Sequence, residues 1–332
     1  MSFDIIIPFL KPIEHLLMSE TVSEIMVNPD ASVWMEENGQ KKLLPDVHFD
    51  EGALNAGLEV IANRFGKKLD ADSPILNLRL PDGSRLAAII PPIVNPAPLV
   101  TIRKFTSRNF GIDDLVRREM LTAEMAVALA ERVRGGDNVL IAGGTGTGKT
   151  TLLNVLADFI PEDERIIVIE DTGELHIRKP HVVSTESQTD THHSNVTFDD
   201  LLKAVLRHRP DRIIVGEVRG PEARTLLDAM NTGHRGTLAT VHSSGAEEAI
   251  HRLAMLAMRA SGGLNLESVT DEVYRCLNVI VYIARREGRR SVETLLEPEE
   301  VRRAASQDRR PTSQSVHGEL QDRPCRLGSA AR

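Results

Sequence analysis

The chain has 332 residues, 41% of them hydrophobic, 27% charged and only 3% aromatic, with a formal net charge of −8. That length accommodates two domains, each able to bury its own core. The acidic balance excludes a general nucleic-acid coat, for which a basic chain is expected, and no apolar run approaches the ~20 residues of a membrane-crossing helix.

At the start of the chain, Ile5-Ile6-Ile7-Pro8-Phe9-Leu10 is short, broken by proline, preceded by Asp4 and without a basic leader. It fails as a signal peptide, so the protein is expected to stay in the cytoplasm. The two cysteines, Cys276 and Cys325, are far apart and lack CxxC spacing, which argues against a disulfide framework or a zinc site.

Residues 1–105 read as an α/β domain without a nucleotide signature. Ser32 to Met35 and Lys42 to Leu44 flank Glu36-Glu37-Asn38-Gly39, an Asn-Gly turn between short strands. Asp50 is an acceptable N-cap for a helix carrying Leu54, Leu58, Ile61 and Phe65. Pro74 to Val94 reads as strands around Pro81-Asp82-Gly83, with Arg85 at the entry to the second, and Leu99 to Phe105 is another strand. A linker is expected at 106–112. Asp113 then caps a helix through Leu115, Leu121, Met125, Leu129 and Val133, stopped by Gly135-Gly136.

From 113 to 285, β-rich runs alternate with amphipathic helices, the pattern of a mostly parallel sheet covered on both faces. The runs are Asn138 to Ala142, Arg165 to Glu170, Asp211 to Gly216, Gly236 to His242 and Val279 to Ala284. Helices are expected over 149–159, 198–208, 221–232 and 246–259. Residues 286–332 read as a mostly disordered, Arg-rich tail with one helix near 291–305: from Arg285 onward there are eleven arginines, no lysine and eight acidic residues.

The first run leads into Gly143-Gly144-Thr145-Gly146-Thr147-Gly148-Lys149-Thr150, followed by the helical Thr151-Leu152-Leu153. Strand, glycine loop and helix in that order form a phosphate-binding P-loop, and the full GxxxxGK[ST] pattern is far more specific than a lone glycine run. The glycines let several backbone N–H groups converge on one anion. The helix start adds its dipole, Lys149 can reach the β- and γ-phosphates of ATP, and Thr150 can ligate Mg²⁺.

In parallel sheets ligands gather at the carboxyl ends of strands. Three groups fall there or flank such a strand: Glu170-Asp171-Thr172-Gly173-Glu174, Gly216-Glu217-Val218-Arg219, and the pair His234 and His242 around one run. Hydrolysis of a γ-phosphate requires a metal held by oxygen, a carboxylate to orient or deprotonate water, and cations for the developing charge. Glu217 is the choice for the water-orienting, Mg²⁺-linked carboxylate, supported by Glu170. Each also has a plainer reading: strand-end acids cap helices or meet solvent, and single histidines are more often structural. His192 and His193 read as an exposed loop.

These motifs resemble those of the type II/type IV secretion ATPases, and most of all the Trb-type ATPases of conjugal DNA transfer, from about residue 20 to 285. The Walker A loop 143–150, the acidic box Ile169 to Leu175, the Walker B segment Leu206 to Arg219 and the histidine box Thr232 to His242 stand in the family's order. Asp82 to Leu86, Pro91-Pro92 and Thr101 to Phe105 are similar to its N-terminal domain. The resemblance implies a RecA-like domain behind a smaller α/β domain, nucleotide between them, and a homo-hexamer. It also implies arginines acting across domain or subunit boundaries, for which Arg85, Arg103 and Arg219 are the candidates. The Arg-rich segment after 285 departs from the family's ending.

The expected activity is a Mg²⁺-dependent ATPase that energises a conjugative type IV secretion channel or its pilus, peripheral at the inner membrane beside channel and coupling components. The alternatives are a type II secretion or type IV pilus extension or retraction motor, and a nucleotide-dependent structural ring with little turnover. Stable nucleic-acid binding is not expected, since the sparse aromatics offer few stacking platforms for bases.

Overall fold

The computed structural model describes residues 6–37, 39–104, 110–171, 173–191, 194–260 and 262–308. The N-terminal domain is built on β1 (Val22–Val27), β2 (Val33–Glu37), β3 (Gln40–Leu43), β4 (Ile75–Arg79), β5 (Arg85–Ile89) and β6 (Leu99–Arg103). These form one antiparallel sheet in the order β3-β2-β1-β6-β5-β4. One face packs on two 3₁₀ turns, on α1 (Glu14–Met18) and on α2 (Glu51–Arg64). In β4, alternate residues Leu76 and Leu78 point inward while Ile75, Asn77 and Arg79 are exposed, the period-2 pattern of a half-buried strand. Asp50 caps α2 as expected, accepting from Ala53 N at 2.8 Å.

The linker expected at 106–112 lies partly outside the described residues. The single helix expected from Asp113 to Val133 is instead two, α3 (Ile112–Arg117) and α4 (Ala123–Arg134). Glu119 between them adopts φ +56°, and Thr122 opens α4 by accepting from Met125 N at 3.2 Å. The cap of α3 is Gly111, whose N–H donates to Asp114 at 2.8 Å; Asp113 does not serve.

The second sheet comprises β7 (Val139–Gly143), β8 (Ile166–Glu170), β9 (Val182–Glu186), β12 (Arg212–Val218), β13 (Leu238–Val241), β14 (Val279–Arg286) and β15 (Arg289–Leu296). A small hairpin of β10 (Gln188–Thr191) and β11 (Ser194–Val196) lies between β9 and β12 in the chain. Sheet order is β15-β14-β7-β13-β12-β8-β9, parallel throughout except for the β14–β15 edge. On one face, Leu140, Ile167, Ile213, Ala239 and Ile280 meet α6 (Phe198–Val205), α7 (Glu222–Asn231), α8 (Ala246–Met258) and α9 (Leu266–Cys276). On the other, Val139, Ile141, Val168, Ile214 and Val281 meet α3, α4 and α5 (Lys149–Ala157). This doubly covered, mostly parallel sheet is the RecA-like domain, and each large aliphatic side chain buried in it contributes about 1.5–3 kcal/mol.

The expected disordered tail is corrected for residues 286–308. Glu287 and Gly288, at φ +50° and +83°, make a two-residue turn that folds β15 back on β14, and α10 (Pro298–Asp308) follows. The turn geometry matches the twist of paired strands, so arginine content did not prevent a strand at the sheet edge. Residues 309–332, with Cys325, lie outside the described residues, as do Asn38, Thr172, His192 and His193. Among the described residues no helix is long and apolar enough to cross a membrane.

Candidate nucleotide site

The buried run of β7 delivers the loop to the carboxyl edge of the sheet. Gly148 closes it as the N-cap of α5 with φ +100°, a left-handed conformation that side chains disfavour. At Gly143 a Cβ would stand 2.4 Å from the carbonyl oxygen of Ile283 on the neighbouring strand, so only glycine fits there. Thr147 is buried and donates to the Gly144 carbonyl at 3.0 Å, which pins the turn. Gly144, Thr145 and Gly146 are left exposed, and Thr151 in the first turn of α5 is half-buried.

Lys149 is 7% exposed. Its Nζ donates to the carbonyls of Gly143 at 3.1 Å and Gly144 at 2.9 Å, and lies 3.4 Å from His242 Nδ1. Burial holds its pKa below the ordinary lysine value, with Glu217 opposing. His242 stands just past β13. Its Nε2 is 3.0 Å from Glu217 Oε1, outside hydrogen-bonding alignment, so Oε1 is buried with no hydrogen-bond partner among the described residues. Burial first, then the Lys149 cation, push the His242 pKa down.

Glu217 is aimed here by a bulge. Along β12 and β13, Val215 pairs with Ala239 and Val218 with Val241, so Gly216 and Glu217 together oppose Thr240; Thr240 Oγ1 donates to the Gly216 carbonyl at 2.7 Å. Such an insertion re-aims a side chain. Glu217 Oε2 accepts from Arg219 Nη2 at 2.8 Å, and Arg219 Nη1 donates to Asp171 at 3.2 Å. Burial would raise the Glu217 pKa, but Arg219, His242 and Lys149 outweigh it and hold the carboxylate below its usual range.

Glu170 takes a different part. Only 4% exposed, its Oε1 accepts from the backbone N–H of Glu174 at 2.8 Å and of Leu175 at 3.1 Å, and burial raises its pKa. It fixes the acidic loop that follows β8, which makes it a positioning residue. That loop presents Glu174, whose Oε2 is 3.5 Å from Thr150 Oγ1 and whose Oε1 pairs with Arg85 at 3.0 Å. Glu174 therefore joins the P-loop to the N-terminal domain.

Arg79, Arg85 and Arg103 form one row across β4, β5 and β6. Arg79 pairs with Glu186 at the end of β9, and burial lowers the Arg85 pKa against the pull of Glu174. Arg103 is exposed and has no ion-pair partner among the described residues. Arg79 and Glu186 were missed by sequence reasoning, yet the Pro81-Asp82-Gly83 turn sets Arg79 opposite Arg85.

His234 is not brought to the site. It precedes β13, at the sheet edge opposite the loop, with roughly 13 Å of strand between it and His242. Its backbone N–H donates to Ala229 at 3.1 Å. Nearby Gly236, at φ +72°, makes room for the buried Arg212, which donates to the Val133 carbonyl at 2.9 Å and pairs with Glu164. That half of the histidine box therefore lies away from the nucleotide loop.

The loop fits a nucleoside triphosphate: a Cβ at Gly146 would meet nothing within 4 Å, leaving open space before the amides, and the partners Lys149 has to relinquish are two backbone carbonyls and His242 Nδ1. For Mg²⁺ the donors at hand are the Thr150 hydroxyl and the unsatisfied Glu217 Oε1. Among the described residues no group of three or more His, Cys, Asp or Glu forms a ready cage; at P-loops phosphate oxygens complete the metal's shell. A surface cavity of about 530 Å³ between Pro12, His15 and His48 is lined by none of these groups.

Fold and loop together define a P-loop nucleotide protein of the RecA-like type. The model of the "Type II/IV secretion system protein" family matches residues 9–318, and the chain belongs to that family. It is 38% identical over 280 residues to the conjugal transfer protein TrbB of Rhizobium radiobacter, covering 83% of both chains. It is 33% identical over 324 residues to the type IV secretion system protein VirB11 of Bartonella quintana, covering 86% of this chain and 90% of that one. An uncharacterized protein of Methanocaldococcus jannaschii is 42% identical over 246 residues, of which this chain spans only 34%. The ATPase DotB of Legionella pneumophila shares the fold with a TM-score of 0.60 at 22% identity, covering 91% of this chain and 84% of that one.

Proposed function

We propose that the chain is an ATP-hydrolysing hexameric motor of a conjugative type IV secretion system. The observation that carries this reading is the continuous set Lys149, His242, Glu217, Arg219 and Asp171 at the carboxyl edge of the sheet, with Glu174 bridging Thr150 to Arg85. Lys149 exchanges its carbonyl partners for phosphate oxygens. Thr150 and Glu217 would hold Mg²⁺, which supplies charge neutralisation at those oxygens. Glu217, kept ionised by Arg219, orients the attacking water and takes up its proton as oxygen bonds to the γ-phosphorus and the bond to the leaving ADP oxygen breaks. His242 stands between Lys149 and Glu217 and joins the two. Conjugation as the setting, channel and coupling components at the inner membrane as partners, and the absence of stable nucleic-acid binding are inferred from the TrbB and VirB11 relatives and the acidic charge. Steady-state hydrolysis by the purified protein, alone and with single-stranded DNA, together with electron-microscope class averages in ATP, tests it. A six-fold ring with Mg²⁺-dependent turnover indifferent to DNA is expected; a monomer without turnover would overturn it.

The arginine row gives the motor its moving part. Arg79 and Arg85 rest on Glu186 and Glu174; a γ-phosphate would offer these arginines a stronger anion, so that domain closure would follow occupancy. Arg103→Ala is expected to lower kcat about tenfold or more with little change in ATP affinity, because a cation reaching the site only on closure acts in the transition state; parallel loss of both in turnover and binding assays would contradict this. Glu186→Gln loosens the resting contact without touching the nucleotide. An exposed pair is worth about 0.2–1 kcal/mol, so turnover is expected to rise by up to about fivefold in low salt, with the gain vanishing in high salt; reduced turnover would show that the pair does not restrain the motor.

A further inference from the structure

Lys149, His242, Glu217 and Arg219 account for one flank of β7, the side of β13 and β12; the other flank is occupied by β14 and β15. A triphosphate with its terminal phosphate among the first group would leave its sugar and base on the side of the β14–β15 turn. That turn carries Arg285 opposite Arg290 and Arg286 opposite Arg289. Arg286 is drawn back onto Glu293, with Nη2 to Oε2 at 2.7 Å, and Arg289 faces Glu119 at 3.5 Å.

Arg290 lies beside the loop instead. Its Cδ is 3.8 Å from the position a Cβ would take on Gly148, the cap of α5, and Met120 Cε is 3.1 Å from the same point. The Met120 carbonyl accepts from Val292 N at 2.6 Å, so the hairpin and the turn between α3 and α4 are tied together where both border the loop. Arg290 stays accessible, yet partial burial, then the neighbouring Arg285 cation, lower its pKa; a guanidinium remains charged regardless. Arg285 reaches the other way, its Nη2 3.8 Å from the Cβ position of Gly39 in the N-terminal domain.

We propose that Arg290, with Met120 beneath it, clamps the nucleoside part of the bound nucleotide, its planar guanidinium stacking on the base. The inference rests on the reading of the loop as an ATP site. Arg290 is a binding residue on the side away from the reacting phosphate, and Arg285 on the same turn links that clamp to the domain that moves.

Calorimetric titration of the full chain with ATP, ADP and inorganic triphosphate separates the two. Arg290→Ala is expected to weaken ATP and ADP about tenfold, as for a desolvated cation–π contact, and to leave triphosphate within about twofold of the wild type. Arg290→Lys, which keeps the charge without the plane, should recover only part of the loss. Arg286→Ala should change none of the three ligands, and unliganded melting of every variant should match the wild type. Unaltered ATP affinity in Arg290→Ala, or an equal loss for triphosphate, overturns the clamp while leaving the loop's role intact. Failure of the wild type to bind ATP or triphosphate overturns both.

Discussion

Replacing Glu217 with Gln is expected to reduce ATP turnover by about 10²–10⁴-fold, the range for removal of a general base, while ATP still binds. The substitution keeps size and removes charge. Arg219 loses its carboxylate at 2.8 Å but retains Asp171 at 3.2 Å, so the neighbourhood stays ordered. A fall in kcat without a matching fall in affinity assigns the carboxylate to the attacking water. Turnover at the wild-type rate would remove Glu217 from the mechanism, and simultaneous loss of affinity would reduce it to a ground-state metal ligand.

Lys149→Ala acts one step earlier. Hydrogen bonds to charged groups contribute about 1.5–3 kcal/mol each, so ATP affinity should fall about 10–100-fold. The fold should persist, because Lys149 bonds only to the loop's own carbonyls and approaches His242. Thermal melting reads both parts at once: at a ligand concentration 100-fold above the wild-type Kd the wild type gains about 2.7 kcal/mol, whereas the variant, at roughly 1–10 times its own Kd, gains only about 0.4–1.4 kcal/mol. Equal stabilisation of the two proteins by ATP would contradict the role.

Much of this was legible in the sequence. Apolar, β-branched runs of five or so residues located β7, β8, β12 and β14 within two residues at most ends, because strands buried on both faces admit little else. The loop was legible from its glycines and flanks. Other features depend on pairing that one strand does not record. The bulge at Gly216 is visible only beside β13, and Glu170 Oε1 meets the backbone N–H groups of Glu174 and Leu175 only once β8 has placed it under its own loop. His234 and His242 looked equivalent in the motif, but strand direction sends them to opposite edges. The six-residue gap from Leu115 to Leu121 was a sign of the break between α3 and α4, obscured by regular spacing on its far side. The Glu287-Gly288 turn was likewise present in a segment whose arginines suggested solvent.

The extra residue in β12 makes the site sensitive to chain length as well as composition. Deleting Gly216 would keep every other member of the motif and leave Val215 opposite Ala239 and Val218 opposite Val241, but Glu217 alone would then oppose Thr240 in a regular ladder, without the kink that re-aims its side chain. The carboxylate would lose the aim that brings it to His242 and Arg219. Relatives that differ by a single gap at this point should therefore differ in chemistry even where their residues match. In comparing such motors, the frame of the strand is to be read before its letters.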